Sequence, residues 1–127
     1  MQLVIAEKPS AARDIAHVLR ARDRKKGYIE GDSYVVTWCV GHVVQLAEPK
    51  SYNPEWSDWS LGSLPMLPQD FQLQVTDRVK DQWNVLEQLL NDDRFESVIN
   101  ACDAGREGEL IFRNVYDLSG SSLPMQR

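Results

Sequence analysis

Short apolar runs alternate along this chain with segments whose apolar residues recur at helical spacing. Leu3 to Ala6 is a continuous apolar run that ends on Glu7, the pattern of a strand buried on both faces. In "KPSAARDIAHVLRA", Pro9 suits a first helical position, Ser10 suits a cap, and Ala12, Ile15, Val18 and Leu19 share one helical face. This helix is expected to end in "RARDRKKG", with Arg20, Arg22, Arg24, Lys25 and Lys26 as cations at its C-terminus and Gly27 as its stop. A DNA-phosphate role is the second account of that cluster. "YIEGDSYVVTWCVGHVVQL" reads as a hairpin with Gly31-Asp32 at the turn, interrupted later by Gly41-His42. "FQLQV" alternates as a strand. "TDRVKDQWNVLEQLLNDD" is the clearest helix, capped by Thr76 or Asp77, with Val79, Trp83, Leu86 and Leu90 on one face. "SVINAC" is another buried strand and leads to Asp103. "REGELIFRNVYDL" is a helix with Leu110, Ile111, Val115 and Leu118 inward, and the polar "SGSSLPMQR" is expected to carry no regular structure.

Strands alternating with helices give an α/β class, with a mostly parallel central sheet flanked by helices, a hairpin and a long irregular insertion. The insertion spans residues 47–70 and holds Pro49, Pro54, Pro65, Pro68, Trp56 and Trp59. Excursions of that length in a compact domain are often functional. Trp56 and Trp59 are expected to pack it onto the body, with base stacking as the other open role. The 127 residues make one domain. Its core spans approximately residues 1–120, and 121–127 reads as a linker toward further domains. In such sheets ligands sit beyond the carboxyl ends of the strands. Glu7 closes the first strand and Asp103 the last, so neighbouring strands would aim both carboxylates into one crevice.

Composition narrows the function classes. The net charge of −5 argues against non-specific nucleic-acid binding by the whole surface, though not against a local basic site. No apolar run approaches the ~20 residues of a membrane span, and the start shows no signal-peptide pattern, so the chain reads as cytoplasmic with no membrane partner. Cys39 and Cys102 form no C-x-x-C pair and are expected to be small buried residues.

The chemistry concentrates in "ACDAGREGELIF". Asp103 sits where a strand becomes a helix, and Glu107 follows four residues on, a spacing that shares one face. Such oxygen ligands suit magnesium, which takes one or two carboxylates and keeps several waters. Arg106 offers a planar fork for phosphate, and the N–H groups of the helix start add to an anion site. A metal beside an arginine suggests phosphoryl transfer. An ordinary account also stands for this segment alone: Glu107 and Glu109 favour the helix dipole and Gly105 makes the turn. Glu7 shifts the balance, because a partly buried carboxylate at the same crevice suits a general acid. Lys8 beside it can bind phosphate. His42 can be a base, a phosphate donor or a satisfied core histidine.

"LVIAEKPSAARDIA", "VGHVVQL", "W…LPMLP" and "ACDAGREGELIFR", in this order across nearly the whole chain, resemble the toprim domain of type IA DNA topoisomerases, the topoisomerase III branch in particular. The resemblance implies a Rossmann-like toprim fold and magnesium-dependent cutting, passage and resealing of DNA strands by transesterification. It implies Glu7 as general acid and base, with Lys8 near the scissile phosphate. Asp103 and Glu107 match metal ligands, Arg106 the arginine between them, and Glu7 would join the metal set. His42 is grouped with Lys8 and Arg106 as a DNA- or phosphate-binding candidate. DNA, as a single-stranded segment at the cleavage site, and the remaining domains of a parent chain are the implied partners. Two departures stand out. Gly105 replaces the second aspartate of Asp-x-Asp, which puts a two-metal site in doubt. Tyr28, Tyr34, Tyr52 and Tyr116 match no nucleophile motif, so the chain is expected to be inactive alone.

Two rival readings remain. One is a toprim nuclease or primase-like protein, distinguished by hydrolysis of single-stranded DNA. The other is a non-catalytic module that holds a nucleotide or partner, supported by Gly105.

Overall fold

The computed structural model describes all 127 residues. In chain order its elements are β1 (Gln2–Ala6), α1 (Pro9–Val18), β2 (Asp23–Lys25), β3 (Tyr28–Glu30), β4 (Tyr34–Trp38) and β5 (Val44–Leu46). Then come α2 (Pro49–Tyr52), β6 (Leu73–Val75), α3 (Lys80–Leu90), β7 (Ser97–Ala101), α4 (Arg106–Ser119) and β8 (Met125–Gln126). Six strands form one sheet in the order β2-β3-β4-β1-β7-β8, and β5 and β6 pair as a separate antiparallel ribbon. β1 runs parallel to both β4 and β7, and β7 parallel to β8, while β2, β3 and β4 form an antiparallel meander.

The unbroken apolar run of β1 follows from its place at the centre. Alternate side chains point to opposite faces of a strand. Leu3 and Ile5 join the larger core with residues of α3 and α4, whereas Val4 and Ala6 join the smaller core under α1. Both faces are covered by helices, so both residue sets are apolar. On α3, Trp83, Leu86 and Leu90 are buried as their spacing predicts. Gln82 on the same helix donates to the carbonyls of Gly27 and Trp38 and to the Thr37 hydroxyl, tying α3 to the meander.

Several sequence expectations need correction. The first helix does not continue through the basic segment. It ends at Val18, Arg20 takes a left-handed φ of 59°, and the chain turns back. Asp23–Lys25 then pairs with β3, and Arg22 donates its N–H to the Glu30 carbonyl. Strand pairing satisfies backbone groups there while Ala21 becomes buried. Val18 is 76% exposed, because the buried stripe of α1 is Ala12 and Ala16 and Val18 lies roughly 140° round the helix from its centre. Leu110 is also exposed. The inward face of α4 is Gly108, Ile111, Phe112 and Val115, and Leu110 lies on the far side with Leu46, beside an open hollow of about 510 Å³. Neither Ser10, Thr76 nor Asp77 caps a helix with its side chain. The Thr76 hydroxyl instead donates to the His42 carbonyl at 2.9 Å.

The polar tail is not without structure. Val98 donates its N–H to Pro124, and Met125–Gln126 pairs in parallel with β7, so the sheet extends past residue 120. An unpaired β7 edge explains this: its N–H and C=O groups find partners in the returning chain. The insertion folds mainly on itself, through α2, single 3₁₀ turns at Pro54–Ser57 and Leu61–Ser63, and a Tyr52 hydroxyl bonded to the Gln72 backbone. Trp56 is half-buried, but Trp59 is 77% exposed and does not pack onto the body.

Candidate active site

The site begins with strand register. Ala6 of β1 lies opposite Ala101 of β7, so Glu7 and Asp103 leave the sheet at the same carboxyl edge. The Asp103 N–H donates to Glu7 Oε2 at 3.2 Å, which ties the first strand's acid to the last turn. Below them lie the free, buried thiols of Cys39 and Cys102. A hydrogen bond to Cys102 and burial push the Cys39 thiol well up, so it stays protonated and unreactive.

The turn into α4 is built by close packing. Gly105 donates its N–H to the Asp103 carbonyl at 2.8 Å, and Arg106 starts the helix. A Cβ on Gly108 would lie 2.2 Å from the Asp103 carbonyl oxygen and 2.7 Å from its nitrogen, so only glycine lets this helix press against the loop. Gly105 is different. Its φ of −145° is ordinary extended backbone, and a Cβ there meets nothing within 4 Å. The turn does not require glycine at 105.

Behind the turn lies a polar network. Buried Asn100 accepts from the Cys102 N–H and donates from Nδ2 to Glu109 Oε2 at 2.9 Å. Glu109 also accepts from Arg113 Nε at 2.7 Å and pairs with Arg127 Nη1. Arg127 Nη2 reaches the Asp103 carbonyl at 3.0 Å. The Arg113 hydrogen bond, aided by the Arg127 charge and by Asn100, holds the Glu109 carboxyl below its usual range. On the other side, His42 Nε2 meets Glu107 Oε1 at 2.5 Å.

The Toprim domain family matches residues 2–124. The chain belongs to that family. It is 42% identical over 125 residues to the DNA topoisomerase 3 of Staphylococcus epidermidis, covering 98% of this chain and 18% of that protein. It is 47% identical over 126 residues to the DNA topoisomerase 3 of Bacillus anthracis, covering 98% of this chain and 17% of that protein. The chain thus spans less than a fifth of the length of the curated relatives it matches.

Toprim domains are generally divalent-metal sites, and the donors here suit one. Glu7, Asp103 and Glu107 offer only carboxylate oxygens, which fit a hard cation rather than a soft one. The structure draws together two of the three. Glu7 and Asp103 share the edge, but Glu107 turns to His42, and no group of three His, Cys, Asp or Glu side chains is placed to hold a metal. His42, expected as a phosphate donor, is the partner of Glu107. Lys8 and Arg106 stand exposed at the starts of α1 and α4, and neither is in an ion pair. Sequence reasoning missed Asn100, Glu109 as a network centre, and Arg127. No local signal marks Arg127, because only the β7–β8 pairing carries it back to the site.

Proposed function

We propose that this Toprim chain is the metal-binding, acid–base part of a DNA topoisomerase III-like enzyme. Such an enzyme cuts one DNA strand by transesterification to a tyrosine supplied by the rest of the parent chain, and then reseals it. The observation that carries this reading is the joining of Glu7 to the Asp103 turn at the sheet's carboxyl edge. Lys8 and Arg106, both free of ion pairs, bind the phosphates flanking the scissile bond, aided by the N–H groups at the start of α4. Glu7 gives a proton to the 3′ oxygen as the phosphorus–oxygen bond breaks, and takes it back when that oxygen re-attacks. Glu7 and Asp103, with Glu107 once released from His42, would hold magnesium, which supplies stabilisation of charge on the phosphate. The partners are a single-stranded DNA segment and the other domains of the parent, in the cytoplasm. Alone, the chain is expected to leave supercoiled plasmid unchanged.

A graft tests this. The chain replaces the matching segment of the Bacillus anthracis relative, and plasmid relaxation is measured. Relaxation by the graft, and its loss with Glu7→Gln while DNA binding persists, is the expected result. A folded graft that binds DNA without relaxing it overturns the proposal. The His42–Glu107 contact favours one second reading, a non-catalytic module whose carboxylates never gather a metal. Carboxyl NMR of Glu7 and Asp103 during a magnesium titration separates the two: shifts at millimolar metal exclude the second.

A further inference from the structure

We propose that the face between α1 and β2 is a second nucleic-acid contact, a groove that holds the backbone of a single strand running away from the Glu7 edge. The inference rests on the DNA-cutting reading above. Its first support is where the free positive charge lies. Half of the fourteen lysines and arginines are in ion pairs, and five of the other seven fall between Lys8 and Arg24. In a chain of net charge −5, most of the unpaired cations are therefore concentrated in the stretch that runs through α1 into β2.

The second support is shape. Two hollows of about 140 and 180 Å³ adjoin along α1, and Arg13 and Arg24 line both. The first also has Pro9, Tyr28 and Trp38 in its wall, and the second His17 and Arg22. No acidic residue lines either hollow. Lys25 borders the first, but Asp23 neutralises it at 2.7 Å. The first hollow opens at the catalytic edge, because Trp38 lies opposite Ala6 and Pro9 follows Glu7 and Lys8. The second lies toward the far end of the helix, so the groove follows α1 for about 15 Å.

Chemistry selects the occupant. Guanidinium forks match phosphate oxygens, and half-buried Tyr28 and Trp38 give flat faces on which bases stack. A membrane headgroup layer is planar and does not enter a groove between a helix and a strand. An acidic peptide would use the arginines but has no need of the aromatic wall.

The test measures binding of labelled oligo-dT to this chain, with inorganic polyphosphate as the comparison anion. Arg13→Gln with Arg24→Gln is expected to weaken oligo-dT binding about tenfold and to flatten the salt dependence by ~1.4 in log–log slope, ~0.7 for each lost phosphate contact. Arg78→Gln, an exposed arginine elsewhere, should leave it unchanged. The Trp38 indole NMR signal should move with oligo-dT and not with polyphosphate. Equal affinity of double variant and parent, with shifts confined to Glu7, Lys8 and Arg106, overturns the groove and leaves the active-site reading standing. Matching responses to both anions overturn the nucleic-acid assignment. No oligo-dT binding beside an active graft overturns the groove alone, whereas an inactive graft overturns the function.

Discussion

Two strand-to-helix turns meet at one edge of the sheet, and they are built in opposite ways. The turn into α4 is locked. Gly108 lets the helix press on the Asp103 backbone, and Asn100, Glu109, Arg113 and Arg127 brace it from behind. The turn into α1 is open. Pro9 starts the helix, no side chain caps it, and Lys8 is exposed. Asp103 is thus held in place by packing at the locked turn, while Lys8 at the open turn keeps freedom to meet a ligand. A fixed turn needs no rearrangement when charge develops, and a mobile cation can follow a phosphate that changes position.

The strongest way to break this contrast is at Gly108. Gly108→Ala puts a methyl group 2.2 Å from the Asp103 carbonyl oxygen, inside a helix that cannot retreat without leaving the core. Overpacking of this kind costs roughly 1–3 kcal/mol, so thermal melting should fall by several degrees. A Gly108→Ala protein that melts with the parent would remove the locked-turn account.

Glu109 is the next test, with a smaller effect. Its folded carboxyl titrates below the ordinary glutamate value, chiefly through the Arg113 hydrogen bond. A depressed carboxyl contributes stability that is present above the unfolded pKa and is lost as pH falls through the folded one. Denaturant midpoints of the parent and Glu109→Gln, compared from about pH 6 down to about pH 3, should converge as the pH falls. A gap that stays constant would mean the network acts by shape alone. Arg127→Gln should have a still smaller effect on stability, since Arg113 and Asn100 remain on Glu109. It should leave the acid limb of the profile in place and raise amide exchange near Asp103, and unchanged exchange would cut β8 out of the site.

The contrast also shows what a linear sequence can carry. The sheet was legible because its burial pattern is local: Leu3 to Ala6 and "SVINAC" read as buried strands whatever their neighbours. So was the shared edge of Glu7 and Asp103, because strand ends in such sheets converge. The two glycines of "DAGREG" look alike in sequence and differ only in what surrounds them. Gly108 touches the Asp103 backbone and Gly105 touches nothing, a fact set by how α4 docks. Arg127 was hidden for the same reason, since a two-residue edge strand has almost no pattern of its own. The basic segment misled because cations at a helix end are common, and the pairing of β2 with β3 is a non-local choice.

The finest test returns to Gly105, where the effect on stability should be the smallest and the effect on chemistry the most informative. Gly105→Asp places a carboxylate where a Cβ meets nothing and the backbone is already extended. Surface changes of that kind usually stay within ~0.5 kcal/mol, so the melting temperature should barely move. The added oxygen ligands stand two residues from Asp103 and should tighten manganese binding several-fold, read by relaxation of water protons or by calorimetry. If the gain appears, the site lacks only a carboxylate that its backbone already accommodates, and the Gly105 chain works with fewer protein ligands. If the variant folds and its affinity stays at the parent value, the edge between β1 and β7 does not gather metal through this turn. Glu107, held by His42, would then be the residue whose release decides metal binding.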